Sequence, residues 1–158
     1  MKKGLLQTLR ADHILCSIKV SNWQEAVEVT GKFMQRAGLC TNQFTQAMFD
    51  LIEQHGPYMV IAPGIALLHA SPGDYILQSG LVLITLEQPV FFGHSENDPV
   101  WLIIGLAASN DRSHVVDALS ELAILLSVEG MLDKIRQSSN DSKNLFELIR
   151  SSIPAMEE

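Results

Sequence analysis

The chain has 158 residues, 47% of them hydrophobic and 18% charged, with 11 Lys and Arg against 18 Asp and Glu for a formal charge of −7. That length suits one domain spanning residues 1–158, and the composition is that of a packed globule, not a disordered chain. An acidic chain without a basic cluster gains nothing from counterion release at phosphates, so nucleic acid is not an expected partner; the charge suits docking on a basic protein surface.

The opening "MKKGLLQTLRADH" holds two lysines but no long apolar stretch and does not read as a secretory signal. "HILCSIKV" alternates apolar Ile14, Cys16 and Ile18 with other residues and predicts a strand. In "SNWQEAVEVTGKFMQRAG", Ser21 and Gln24 have capping-box spacing, which starts a helix near Asn22. Trp23, Ala26, Val27, Thr30, Phe33 and Met34 share one face of it, and Gly38 stops it. A second helix is expected from about Asn42 to Gln54, capped by Thr41. Its stripe is Phe44, Ala47, Met48, Leu51 and Ile52, and Gly56-Pro57 ends it.

Short apolar runs follow. "YMVIA" and "GIALLHA", split by Pro63-Gly64, read as two strands or one bent one. "GLVLITL" and "VFF" predict further strands on either side of Gln88-Pro89, and "GHSENDP" a polar loop. "VWLIIGLAA" predicts a strand buried on both faces; it falls well short of the roughly 20 residues a membrane span needs. "HVVDALSELAILLS" predicts a helix with Val115, Val116, Leu119, Leu122 and Ala123 on one face, and "EGMLDKIRQ" and "SKNLFELIRSS" two last short helices. Helices before and after a block of strands predict a three-layer α/β domain: a central mixed β-sheet flanked by helices on both faces.

The motifs that would announce a nucleotide, a dinucleotide, a serine nucleophile or a zinc ion are not in the sequence, so no cofactor or metal is expected. His94 and Asp98 stand four apart in a loop with no second histidine nearby, which is a poor ligand set. Cys16 and Cys40, in apolar surroundings and without CxxC spacing, read as free buried thiols of a cytoplasmic protein.

The histidines are then the most reactive groups. His13 reads as an ordinary surface residue, and His55, in the last turn of its helix, meets the negative end of the helix dipole. His69 and His114 each stand where a buried element meets a polar turn, the position at which α/β sheets collect functional groups. The local pattern leaves two readings open for them: satisfied strand-end residues, or a nucleophile with a second imidazole to meet an anion.

A family resemblance bears on that choice. "EQHGPYMVIAPGIALLHASP", "GLVLITLEQPVFF", "HSENDPV" and "LIIGLAASNDRSHVVDALSELA" resemble, in that order, the enzyme IIA components of the bacterial sugar phosphotransferase system, mannitol/fructose-type superfamily. "EQHGPY" and the "HSENDPV" loop resemble the ascorbate-type branch in particular.

The resemblance implies the mannitol-type enzyme IIA fold and a phosphoryl carrier. The donor it implies is the phosphohistidine of the carrier protein HPr; the acceptor is a cysteine of enzyme IIB, which acts with a membrane permease. The family's active histidine follows an apolar step and precedes a small residue, matched here by Ala66, Leu67, Leu68, His69 and Ala70. His69 would be the phosphorylated nucleophile, and His114 would stabilise the phosphoryl charge. Amides near Ala70 and Ser71 would add donors, with His55 as an auxiliary group and His94 at the docking surface.

Two departures stand out. Leu68 replaces the proline usual before the active histidine, and Glu53 takes the place of an arginine of the mannitol type. A regulatory phospho-sensor of the same fold, and an inactive homologue marked by Leu68, are the competing readings. A homodimer is left open.

Overall fold

The computed structural model describes residues 4–156, with side chains through Ile153; Lys2 and Lys3, part of the N-terminal reading, lie outside the described residues. A short helix α1 (Leu5–Thr8), not foreseen because four residues carry no periodicity, leads through a 3-10 turn (Ala11–His13) into β1 (Ile14–Ile18). Helices α2 (Trp23–Arg36) and α3 (Gln43–His55) follow, then β2 (Val60–Ala62), β3 (Ile65–Leu68), β4 (Gly80–Val90) and β5 (Val100–Ala107). Helices α4 (Ser113–Ser127), α5 (Met131–Gln137) and α6 (Ser142–Met156) complete the order.

The five strands form one mixed sheet in the order β1-β4-β5-β3-β2, with β1 parallel to β4 and β3 parallel to β5, the other pairs antiparallel. Alternation along the strands feeds two cores. Val82, Ile84 and Leu86 of β4, with Ala66 and Leu68 of β3, face α2 and α3. Leu81 and Leu83, with Ile65 and Ile104, face α1, α4, α5 and α6. The expected three-layer α/β architecture is therefore present. Each buried Leu or Ile contributes about 1.5–3 kcal/mol relative to exposure, so a sheet apolar on both faces is covered on both.

Several local expectations need correction. Asn22, not Ser21, caps α2: its side chain accepts from the Glu25 amide at 2.9 Å, while the Glu25 carboxylate accepts from the Ser21 amide at 2.7 Å. The reciprocal box is thus shifted one residue and uses Glu25, not Gln24. At α3 the Thr41 hydroxyl is a distant 3.4 Å from the Gln43 amide, a poor cap. "GLVLITL" and the start of "VFF" belong to one strand, β4, and its register against β5 breaks between Thr85 and Val90. Pro89 sits in that irregular, exposed stretch, where no ladder donor is demanded of it. On α4 the buried stripe is Val115, Ala118, Leu122 and Leu125, with Val116 exposed on its flank.

The topology also decides what gathers where. The pairings Leu68 with Gly105, Gly80 with Ala107 and Ile14 with Leu83 put the ends of β3 and β5 beside the starts of β4 and β1. One end of the sheet thus carries His13, Ser79, the lead into α4 with His114, and His69. The loop with His94 joins β4 to β5 and lies at the opposite end.

Candidate active site

His69 follows the last residue of β3, where the strand is anchored by Leu68, fully buried and paired with Gly105. The proline expected there is thus replaced by a residue that works through the core. The ring of His69 is half-buried. Its Nδ1 lies 2.9 Å from the Leu67 carbonyl oxygen and its Nε2 lies 3.2 Å from the Tyr58 hydroxyl. A carbonyl only accepts, so Nδ1 carries the proton; in the neutral ring Nε2 keeps its lone pair and accepts from Tyr58. Burial pushes the Tyr58 phenol up from its ordinary range, which keeps it a donor.

Tyr58 escaped the sequence reading. It closes the "EQHGPY" stretch, two residues after Gly56, whose positive φ of 71° closes α3 and turns the chain toward β2. Its ring stands edge-on to two imidazoles, with centroids 5.5 Å from His55 and 5.8 Å from His69. His55, exposed in the last turn of α3, is linked to His69 through this tyrosine. Ser71 lies in the exposed turn after His69, and its carbonyl accepts a hydrogen bond from the Tyr75 hydroxyl.

His114 is in the first turn of α4, as expected, but its Nε2 is 3.4 Å from the Ser79 carbonyl at the start of β4. Among the described residues no hydrogen bond joins it to His69. The two share one sheet end, with β5 between them. His94 works within its own loop: its Nδ1 accepts from the amides of Glu96 at 3.2 Å and Asn97 at 3.0 Å. Asp98 accepts from the amides of Gly93 and His94, so this pair organises a turn. No cluster of three or more metal-binding side chains occurs among the described residues. His13, expected at the surface, is instead buried, because the 3-10 turn packs against β4 and α6.

Cys16 and Cys40 are free, and burial raises both thiols, Cys40 to about 11, so they stay protonated and unreactive at neutral pH. No helix among the described residues is long and apolar enough to cross a membrane.

Solved structures share this architecture. Mannitol enzyme IIA of Escherichia coli aligns with a TM-score of 0.73 at 26% identity, over 88% of this chain and 96% of that one. The complex of enzyme IIAMTL with phosphorylated enzyme IIBMTL, also from Escherichia coli, aligns in fold with a TM-score of 0.73 at 23% identity, over 90% and 99%. Sheet order and flanking helices thus define the mannitol-type enzyme IIA fold.

The family description "Phosphoenolpyruvate-dependent sugar phosphotransferase system, EIIA 2" matches residues 7–152. The ascorbate-specific EIIA component of Shigella boydii serotype 4 (strain Sb227) is 31% identical over 137 residues, covering 87% of this chain and 89% of that protein. The chain belongs to the EIIA 2 family, whose components are phosphotransferases.

Proposed function

We propose that the chain accepts a phosphoryl group from phospho-HPr on Nε2 of His69 and passes it to a cysteine of enzyme IIB, at the cytoplasmic side of a permease. The observation that carries this is the division of labour in the His69 ring: Nδ1 is held by the Leu67 carbonyl while Nε2 faces the Tyr58 hydroxyl. The Nε2 lone pair attacks phosphorus, and the bond from phosphorus to a donor imidazole protonated on its other nitrogen breaks. The donor leaves as a neutral ring, and His69 keeps its Nδ1 proton on the Leu67 carbonyl. The reverse geometry then serves transfer to a thiolate. Catalysis here is positioning and charge stabilisation, which asks for no metal or nucleotide.

Tyr58 is the group best placed to hold Nε2 at rest and to donate to a phosphoryl oxygen once the N–P bond forms. His114 keeps its proposed part in stabilising that charge, for which its ring must leave the Ser79 carbonyl. Residues 1–158 act in this reading as one enzyme IIA domain.

The name of the Shigella relative supports ascorbate, or a related sugar acid or pentitol, as the sugar served. The solved complex of a fold relative with enzyme IIB supports the acceptor. The test is transfer from phospho-HPr through this chain onto purified enzyme IIB proteins. Label on the cysteine of an ascorbate-type enzyme IIB is expected, and exclusive labelling of a mannitol-type one contradicts the sugar assignment.

A further inference from the structure

Tyr58 reaches Nε2 of His69 from an exposed position. Its side chain is 42% exposed, and its hydroxyl lies 3.2 Å from Nε2, long for an O–H donor. The backbone around it is well fixed. The Gly56 amide donates to the Ile52 carbonyl, the Val60 amide to the Pro57 carbonyl and the Leu67 amide to the Met59 carbonyl. The phenol ring, by contrast, is partly in solvent. One long hydrogen bond does not hold such a ring to a single rotamer, because ordering a side chain costs entropy that its contacts must offset.

Two imidazoles meet that ring, both near perpendicular to it, His69 at 81° and His55 at 75°. His69 is oriented independently, by the Leu67 carbonyl. His55 comes from the exposed end of α3, three residues after buried Ile52. Among the described residues its imidazole enters no hydrogen bond or ion pair, so the Tyr58 ring is the contact the structure gives it. Edge-to-face rings with centroids 5.5 Å apart are in the favoured arrangement of aromatic pairs.

We infer, on the reading of His69 as the phosphoryl acceptor, that His55 is a positioning residue for the transfer: its ring holds the Tyr58 phenol so that the hydroxyl stays at Nε2. In this role His55 acts only through Tyr58. Losing it costs no more than losing the hydroxyl it positions, and costs nothing where that hydroxyl is already gone.

The test is a double-mutant cycle on the full chain, with rapid-quench phosphorylation over a range of phospho-HPr concentrations. His55→Ala lowers the limiting rate about three- to tenfold, the worth of an aromatic edge contact, and leaves the half-saturating donor concentration and the thermal midpoint unchanged. His55→Phe keeps a ring at the same place and restores the wild-type rate. In a Tyr58→Phe background His55→Ala has no further effect. A wild-type rate in His55→Ala, a slowing larger than that of Tyr58→Phe, additive effects of the two substitutions, or no rescue by His55→Phe overturns the proposal. A raised half-saturating concentration in place of a lowered limiting rate assigns His55 to docking and also overturns it. Failure of the underlying reading looks different: His69→Ala then takes up label as the wild type does, and both proposals fall together.

Discussion

At His69 the two ring nitrogens divide the work between scaffold and chemistry. The Leu67 carbonyl fixes the tautomer, and the Tyr58 hydroxyl lies 3.2 Å from the nitrogen left with a lone pair. In Tyr58→Phe the edge contacts to His55 and His69 remain but the donor is gone. Phosphoryl uptake from phospho-HPr is expected to slow about tenfold, the worth of one hydrogen bond, with thermal stability near wild type. Rapid-quench rates that match wild type would remove Tyr58 from the mechanism. What could be read in the sequence at this scale was uneven. The places of His69 and His114 at element boundaries followed from pattern. The burial of His13 and the reach of Tyr58 did not, since both depend on how a short turn aims a side chain across sequence-distant neighbours.

At the scale of elements, the close approach of α2 to the sheet rests on Gly105. A Cβ at this position would lie 2.6 Å from Val82 Cγ2 and 2.9 Å from Met34 Sδ. Gly105→Ala is therefore expected to cost about 1–3 kcal/mol of stability, the usual range for overpacking, measured as a lower denaturation midpoint at unchanged slope. Because Gly105 pairs with Leu68, the same substitution also strains the strand end that carries His69. Helices α2 and α3 were legible because their apolar residues repeat at helical spacing over more than three turns. The long β4 was not, since Pro89 reads as a break and only the register irregularity against β5 accommodates it. The face of α4 was read too wide: Val116 flanks a stripe whose centre is Val115, Ala118 and Leu122.

Over the whole molecule, a sheet buried on both faces carries the stability, while the three ion pairs among the described residues are all at least half exposed on one side and contribute little. Stability is accordingly expected to respond more to alkali than to salt. The Cys40 thiol stands at about 11 in the fold against an ordinary 9.0. The unfolded chain thus releases this proton first, and the contribution present below about pH 9 is lost as pH rises toward 11. Urea midpoints taken under reductant across that window should fall, and a Cys40→Ala variant should give a flatter profile. An unchanged slope in the variant would place the alkaline sensitivity elsewhere, with the raised Tyr58 and Tyr75 phenols next in line.

The whole account turns on one nitrogen. Incubating the chain with phospho-HPr and recording heteronuclear phosphorus–nitrogen NMR tests it most directly. A base-stable, acid-labile phosphoryl group bonded to Nε2 of His69, and absent from His69→Ala, is the predicted result. Phosphorylation at Nδ1 or at another residue, or labelling of His69→Ala to the wild-type extent, would contradict it.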